Sequence, residues 1–300
     1  MKVRRAAVAA GCFFACLAMA AGGPLVSTQW LAEHLDDPEV RVVAVDDIDA
    51  PAYATGHIPG AIGIVLQTDL MTPVRRNFLG VHPLERLAGR LGLHAGRTIV
   101  FYDAGGLPEG GLPAVYAYWV FRYRGAAKIA VLDGGLTKWQ AEGREITTAA
   151  PDYRPARYFL AGTVPGVRMF GNDILRRLAS RRVTLIDVRT SAEFHGKAGA
   201  PPGKPQNAVT VYGHIPTARN IHWETDLTGA GTFKSAHRLA RAYRRYLRPV
   251  GPPIASYCLR GERGVVTWFV LHELLGQRRA RLYDGSWTEW GNRVDVPVDR

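Results

Sequence analysis

The fold of this 300-residue chain is best read outward from one stretch, Ile254-Ala255-Ser256-Tyr257-Cys258-Leu259-Arg260-Gly261-Glu262-Arg263-Gly264. An apolar run of the strand type ends at Cys258, and a helix is predicted to begin at Gly264. Uninterrupted apolar runs are typical of strands covered on both faces of a parallel sheet. Because ligands bind beyond the carboxyl ends of such strands, the sequence places Cys258 where a functional site is expected.

The thiol of Cys258 is the first candidate for chemistry. Thiolate is the reactive form of cysteine, and nearby cations and a helix N-terminus both favour it. The other cysteines, Cys12 and Cys16, lie in an N-terminal stretch that has the features of an export signal. A lone cysteine in an exported protein is either buried and inert or kept free for reaction.

The N-terminus is predicted to be a signal peptide spanning residues 1–20. A basic start, an apolar segment at 6–18 and the small residues Ala18-Met19-Ala20 follow one another as a signal peptidase requires. We expect cleavage after Ala20 and a periplasmic location in a bacterium, with an uncleaved N-terminal anchor as the alternative. Later apolar runs are too short to span a bilayer, so we expect no stable membrane association after cleavage.

Charge is distributed unevenly along the chain. The formal net charge is +12, and residues 24–150 carry a net −3 while residues 151–300 carry a net +12. Basic surfaces often bind nucleic acid, but the arginines are dispersed and no nucleic-acid motif is present, so we expect no nucleic-acid partner. A positive field that draws a small anion toward the thiol fits better, and simple solubility is the alternative.

An internal repeat organises the chain into two similar halves. Three segments recur in order at offsets of 157, 155 and 151 residues: 56–61 with 213–218, 99–103 with 254–258, and 131–139 with 282–290. Ordered matches at nearly one offset indicate a duplicated domain rather than a short structural repeat. We predict domains at residues 24–148 and 167–300, joined by a proline-containing linker at 149–166.

Both halves alternate strand-like and helical stretches, which predicts an α/β fold with a mostly parallel sheet and helices on both faces of each sheet. The predicted strands are 40–46, 99–103, 129–132, 183–188, 254–258 and 280–283. The predicted helices are 28–35, 83–91, 113–123, 172–179, 236–247 and 265–275.

The loop after Cys258 is expected to cradle an anion. A tight loop at a strand end can turn its backbone N–H groups inward. Gly261 would allow such a loop to close. Arg260 and Arg263 would supply positive charge, although one of them could instead brace the loop.

Four motifs together resemble the tandem-domain rhodaneses, which are thiosulfate and 3-mercaptopyruvate sulfurtransferases. They are Asp-Val-Arg at 187–189, Gly-His-Ile-Pro at 213–216, the cysteine loop at 258–263 and Asp-Gly-Ser-Trp-Thr-Glu-Trp-Gly at 284–291. The resemblance covers nearly all of the chain after the signal. It implies two rhodanese-like domains, the second of them catalytic, in an exported bacterial member of the family.

The resemblance implies that the Cys258 thiolate takes the outer sulfur of an anionic donor and becomes a persulfide. Cyanide, another thiol or a protein acceptor would then remove that sulfur, with no cofactor or metal. The loop residues Leu259, Arg260, Gly261, Glu262 and Arg263 would bind donor and persulfide. Arg189 matches the family's substrate-side arginine, with a structural salt bridge as the alternative.

Thiosulfate is the predicted donor. Mercaptopyruvate enzymes tend to have a Cys-Gly-Ser-Gly type of loop, whereas Leu259 and Arg260 follow the cysteine here. Four residues separate Cys258 from Arg263, one fewer than in cysteine phosphatases, which argues against phosphatase activity. The alternatives are a 3-mercaptopyruvate sulfurtransferase, a non-turnover persulfide carrier that serves one protein partner, and a binding module with an inert buried cysteine.

The first domain is predicted to be non-catalytic, because Asp103 stands at the position equivalent to Cys258. The loop 104–111 that follows is read as degenerate, and the insertion 197–212 as an exposed loop. His57 and His214 are predicted to stabilise turns rather than to act as bases. No spacing of His, Cys, Asp and Glu indicates a metal site.

Overall fold

A computed structural model describes residues 23–72, 77–105, 112–206, 209–248 and 250–300. The predicted signal peptide lies outside the described residues, as do residues 106–111 of the glycine-rich loop. Among the helices in the described ranges, none is long and apolar enough to cross a bilayer.

The first described sheet has the strand order β1-β5-β4-β2-β3, and every neighbouring pair is parallel. Its strands are β1 (Leu25–Val26), β2 (Val40–Asp46), β3 (Ile62–Val65), β4 (Thr98–Asp103) and β5 (Ile129–Leu132). The accompanying helices are α1 (Thr28–Glu33), α2 (Val81–Arg90), α3 (Pro113–Tyr123) and α4 (Gly135–Ala141).

The second described sheet is also parallel, with the order β7-β6-β8-β9. Its strands are β6 (Thr184–Asp187), β7 (Arg219–Asn220), β8 (Ile254–Tyr257) and β9 (Ala280–Leu282). Its helices are α5 (Gly171–Leu178), α6 (Ser191–Phe194), α7 (Ala236–Tyr243), α8 (Gly264–Phe269) and α9 (Ser286–Trp290), and a π-helical turn (Val270–Leu274) continues α8.

Apolar side chains cover both faces of the first sheet, as predicted. On β4, Ile99 and Phe101 join one hydrophobic cluster, to which α2 and α3 contribute. Val100 and Tyr102 point to the other face, where residues of α1 and α4 meet them. A strand buried on both faces has no reason to alternate apolar with polar residues, which explains the unbroken apolar run at this point of the sequence.

The two halves repeat each other in hydrogen bonds as well as in sequence. The N–H of Ile58 donates to the Tyr102 hydroxyl at 3.2 Å, and the N–H of Ile215 donates to the Tyr257 hydroxyl at 3.1 Å. These tyrosines occupy matching places on β4 and β8, the central strands. The interpretation of the chain as a duplicated α/β domain is therefore confirmed.

Both motif histidines lie in the turns that precede these isoleucines. His57 bonds through its ring nitrogens to backbone carbonyl groups of Tyr53 and Ala149, each at 3.1 Å. His214 bonds to the carbonyl group of Phe194 at 2.9 Å and stacks on its ring. The contacts of both imidazoles are those of turn-stabilising residues.

The sequence missed the short elements. Two-residue strands such as β1 and β7 are too short to show a hydrophobic period. The helix predicted at 236–247 ends at Tyr243 because the chain turns there, and the N–H of Tyr246 donates to the carbonyl of Tyr243 at 2.7 Å. The longest helix of the first domain, α3, has the predicted bounds.

The two domains share one hydrophobic cluster, centred on α3 and α8. Tyr118 of α3 meets the ring of Phe269 of α8 edge to face, with centroids 5.1 Å apart. Arg122 adds an ion pair across the same interface, with its Nε 3.4 Å from Glu273 Oε1. The domains are therefore joined by continuous apolar packing and not by the linker alone.

Strand β4 ends at the buried carboxyl group of Asp103, which accepts the N–H of Ala114 at 2.8 Å. Burial raises the pKa of this carboxyl group from 3.8 to about 7, although the Ala114 hydrogen bond opposes the shift. The folded protein thus holds the Asp103 proton more tightly than the unfolded chain. The protonated Asp103 carboxyl group therefore contributes to the stability of the fold at low pH. This contribution is lost as the pH rises from about 4 to about 7.

We therefore expect Asp103→Asn to stabilise the protein at alkaline pH. The amide keeps an acceptor for the Ala114 N–H and removes the buried charge. The free energy of unfolding in urea should rise by about 2–3 kcal/mol at pH 8, with a smaller gain at pH 5. The exposed Asp152→Asn variant serves as the control, and an equal gain at both pH values would contradict this account.

Candidate active site

Cys258 directly follows β8, and hydrogen bonds from its backbone join it to the start of α9. Its N–H donates to the Ser286 hydroxyl at 3.1 Å, and its carbonyl accepts the N–H of Trp287 at 3.0 Å. Ser286 in turn donates to the carbonyl of Tyr283 at 2.8 Å. Only 1% of Cys258 is exposed. The backbone of the cysteine is therefore fixed independently of the loop that follows it.

The sulfur of Cys258 accepts a hydrogen bond from the loop itself. The N–H of Gly261 lies 3.1 Å from Sγ, which is short for a bond to sulfur. Gly261 has φ +95°, and a Cβ at this position would lie 2.8 Å from the carbonyl oxygen of Asp284. Glycine is needed here for both reasons, in agreement with the prediction of a tight loop.

Arg263 braces the loop through a buried ion pair with Glu193. Its Nη1 and Nη2 lie 2.9 and 2.7 Å from the two carboxylate oxygens, in a bidentate arrangement. Burial alone would raise the pKa of Glu193, but the hydrogen bonds and charge of Arg263 outweigh burial and lower it. Of the two loop arginines, Arg263 is thus the one that stabilises the loop.

Glu193 is itself fixed at the start of α6. Its carboxylate accepts the N–H and the hydroxyl of Thr190, both at 3.0 Å, while the Thr190 hydroxyl accepts the Glu193 N–H at 3.2 Å. This reciprocal pattern is a capping box. It links the end of β6 rigidly to the cysteine loop.

Arg189 lies in a buried ion pair. Its guanidinium contacts Asp187, with Nη2 2.6 Å from Oδ2, and also donates to the carbonyl of Gly213 at 2.7 Å. The group sits 4.6 Å above the Trp287 ring and is wholly buried. Its Nη1 has no hydrogen-bond partner within the described residues. This is the salt-bridge alternative, and a role for Arg189 in donor binding stays a prediction.

The remaining loop residues divide between core and surface. Leu259 is 5% exposed and joins the hydrophobic cluster that contains Trp287. Arg260 is partly exposed, with its Nε 3.3 Å from Glu262 Oε2. Arg260 is thus the loop cation that reaches solvent.

Sequence reasoning missed Ser286 and also Glu193, the partner through which Arg263 braces the loop. Ser286 has φ +53°, a conformation that is rare for a residue with a side chain, and its counterpart Gly135 has φ +54°. The serine in the Asp-Gly-Ser motif was the available signal. The capping box at 190–193 was also recognisable from the sequence. Nothing in the sequence, however, links Glu193 to Arg263, which lies 70 positions away.

The first domain reaches the cysteine loop through Tyr116 of α3. Burial raises the pKa of its phenol well above the usual range, and the nearby carboxylates of Asp284 and Glu262, and then Cys258, add to the effect. The first domain thus places a phenol close enough to Asp284, Glu262 and Cys258 for their charges to act on it.

The insertion 197–212 is organised in its described part around Gln206. The Gln206 side chain accepts the N–H groups of Gly199 and Ala200 at 3.0 and 3.1 Å. Lys204 reaches Asp49 of the first domain at 2.8 Å. The prediction of an exposed loop is borne out for most of 202–206. It is wrong for Gly199, Ala200, Pro201 and Val209, which are buried, because Ala200 and Val209 join the hydrophobic cluster of the second domain. Residues 207–208 lie outside the described ranges.

Within the described ranges, no group of three or more His, Cys, Asp and Glu side chains is placed to hold a metal ion.

Comparison with known proteins gives a consistent family. The chain is 40% identical over 277 residues to the "Sulfur carrier protein TtuD" of Thermus thermophilus, which covers 91% of this chain and 95% of that protein. It is 38% identical over 275 residues to a "Putative thiosulfate sulfurtransferase" of Saccharopolyspora erythraea, covering 92% and 95%.

A solved structure with the same fold is the anaerobic ergothioneine biosynthesis enzyme of Chlorobium limicola. It matches with a TM-score of 0.78 at 24% identity, over 92% of this chain and 70% of that one. At this identity the likeness shows the fold alone. The model of the rhodanese-like domain matches residues 27–142 and again residues 171–293. The chain therefore belongs to the rhodanese family and carries two rhodanese-like domains in tandem.

Proposed function

We propose that this sulfurtransferase moves sulfane sulfur from thiosulfate to cyanide or a thiol through a persulfide on Cys258. The observation that carries the proposal is the Gly261 N–H placed 3.1 Å from Cys258 Sγ, in a loop braced by the buried Arg263–Glu193 pair. A hydrogen-bond donor held against the sulfur stabilises the thiolate, which is the nucleophile.

In the first half-reaction the Cys258 thiolate attacks the outer sulfur of thiosulfate. A new S–S bond forms to the enzyme, the S–S bond of thiosulfate breaks, and sulfite leaves with the bonding electron pair. The enzyme is left as a persulfide anion, so charge is conserved. The Gly261 N–H is positioned to stabilise charge on this sulfur pair.

In the second half-reaction a nucleophile attacks the terminal sulfur of the persulfide. With cyanide, a C–S bond forms, the enzyme S–S bond breaks, and thiocyanate leaves while the Cys258 thiolate is restored. No proton or external electron is needed. A thiolate acceptor would take the sulfur in the same way and become a persulfide itself.

Arg260 is the residue we propose for attracting the anionic donor. It is the partly exposed cation of the loop, whereas Arg263 and Arg189 are committed to buried ion pairs. A dianion such as thiosulfate suits a cationic loop better than the monoanionic mercaptopyruvate does. Leu259 and Arg260 also replace the small residues expected of a mercaptopyruvate enzyme.

A persulfide carrier is the second candidate function. It is favoured by the similarity to a protein named as a sulfur carrier. A carrier would load sulfur on Cys258 but pass it rapidly only to one protein partner.

An inert thiol is the third alternative, and the low exposure of Cys258 favours it. Alkylation of Cys258 by iodoacetamide at neutral pH would separate a reactive thiol from an inert one.

We also propose that the protein is exported, on the pattern of its first 20 residues. When the full chain is expressed in a Gram-negative bacterium, the periplasmic fraction should contain a mature form beginning at Ala21. Intact protein in the cytoplasm with Met1 retained would overturn this proposal.

Replacement of Cys258 by Ser should abolish thiocyanate formation from thiosulfate and cyanide. Loss of the nucleophile is expected to lower kcat/KM by at least about 1000-fold. Asp103→Asn, at the equivalent position of the first domain, should retain the activity. Turnover with mercaptopyruvate alone would overturn the choice of donor, and a loaded persulfide without steady-state turnover would favour the carrier.

Glu193→Gln should loosen the cysteine loop because it leaves the Arg263 charge buried without its counter-charge. We expect the free energy of unfolding to fall by about 3–5 kcal/mol and kcat/KM with thiosulfate to fall at least tenfold. The matched control is Asp295→Asn, which breaks the more exposed pair with Arg293 and should cost less than about 1 kcal/mol. Equal effects in the two variants would contradict the bracing role.

A further inference from the structure

Arg168 makes a second bidentate ion pair close to the cysteine loop. It lies just before α5 and is bridged in parallel to Leu282 of β9. Its Nε and Nη2 lie 2.6 and 2.9 Å from the two carboxylate oxygens of Asp284. The Asp284 side chain is 5% exposed and that of Arg168 is 16% exposed. Such a paired, desolvated contact holds both partners in one geometry.

The faces of the Arg168 guanidinium are occupied as well. Its central carbon lies 4.9 Å from the ring centroid of Phe78 in the first domain and 4.5 Å from that of Phe170 in the second. Planar guanidinium groups stack well on aromatic rings, which a lysine ammonium does less well. Arg168 therefore ties Asp284 to an aromatic contact that crosses the domain boundary.

Asp284 in turn lies against the glycine that contacts the sulfur. A Cβ on Gly261 would come within 2.8 Å of the Asp284 carbonyl oxygen and 3.1 Å of its Cα. The N–H of the same glycine donates to Cys258 Sγ. Close approaches thus link Arg168 through Asp284 and Gly261 to the sulfur of Cys258.

The internal repeat shows what the first domain has instead. Leu25 pairs with Val131 on β5, as Arg168 pairs with Leu282 on β9, and Val131 and Leu282 are equivalent in the repeat. The position of Arg168 is therefore occupied by a buried leucine in the half without a cysteine.

The aspartate of that half has a different partner. Asp133, the equivalent of Asp284, accepts the N–H of Phe233 at 2.9 Å. The arginine clamp thus belongs to the half that holds the thiol, although both halves keep the aspartate.

We propose that Arg168 is a positioning residue for Cys258: by clamping Asp284 it holds the Gly261 N–H against the sulfur. The inference deepens the proposed sulfurtransferase function and rests on it for its purpose. Without the clamp, Asp284 and Gly261 are free to shift, and the thiolate loses a hydrogen bond that stabilises it. A weaker hydrogen bond to the anionic form moves its formation to higher pH.

The readout is the rate of Cys258 alkylation by iodoacetamide as a function of pH, followed on the Cys258 peptide by mass spectrometry. Other charged or titratable groups on the surrounding elements stay unchanged in every variant: Tyr116, Arg189, Glu193, Arg260, Glu262 and Arg263. Arg168→Met should move the half-maximal pH upward by about one unit. Arg168→Lys, which keeps the charge but not the fork, should give a smaller upward shift.

Arg122→Met is the matched control, since it breaks another interdomain ion pair away from the cysteine loop. Its half-maximal pH should equal that of the wild type. An unchanged profile in folded Arg168→Met, or an equal shift in Arg122→Met, would overturn the proposal. Should Arg168→Met not fold, the Arg168→Lys profile decides in the same way.

The route through Asp284 is tested by a double variant. If Arg168 acts through Asp284, Arg168→Met with Asp284→Asn should shift the profile no further than Arg168→Met alone. Additive shifts would mean that Arg168 acts on the thiol directly. Alkylation requires no sulfur transfer, so the shift can be found even if thiosulfate turnover is absent, and the two proposals can fail separately.

Discussion

The buried ion pair between Glu193 and Arg263 is the interaction on which the candidate active site depends. Two opposite charges out of water are costly unless they are paired and hydrogen-bonded, and here both carboxylate oxygens meet the guanidinium while Thr190 satisfies one of them further. The pair ties the end of β6 to the loop after β8. Because the loop cannot relax without stranding a charge, the Gly261 N–H keeps its place at the Cys258 sulfur.

The two domains share one backbone architecture but place different groups at the end of the central strand. Each has a central strand with a tyrosine that accepts an N–H from the Gly-His-Ile-Pro turn. At the end of that strand the first domain has a buried carboxyl group and the second has a thiol. The Asp103 carboxyl group accepts the N–H of Ala114 at the start of α3. Cys258 instead places a sulfur atom at the matching position, with the N–H of Gly261 3.1 Å away.

Much of this architecture could be predicted from the sequence because it is local. The sequence predicted the exact bounds of the strands at 40–46 and 129–132 and of the helix at 113–123. Long apolar runs and a proline at a helix start can be recognised without tertiary information. The site was predictable as far as its loop is contiguous, which covers Cys258 and Gly261. The partners Glu193 and Ser286 were not, because they meet the loop only through the sheet order that brings β6 and α9 beside it.

The shared apolar cluster between α3 and α8 makes the second domain depend on the first for the burial of its core side chains. The helix that starts at the cysteine loop carries Trp268 and Phe269, which are wholly buried, and Tyr118 of the first domain contacts both. Removal of the first domain would leave those rings facing water and would take away Phe78 and Tyr116 as well. The first half thus covers apolar surface that the second half cannot cover alone, so the two halves are not expected to behave as separable modules.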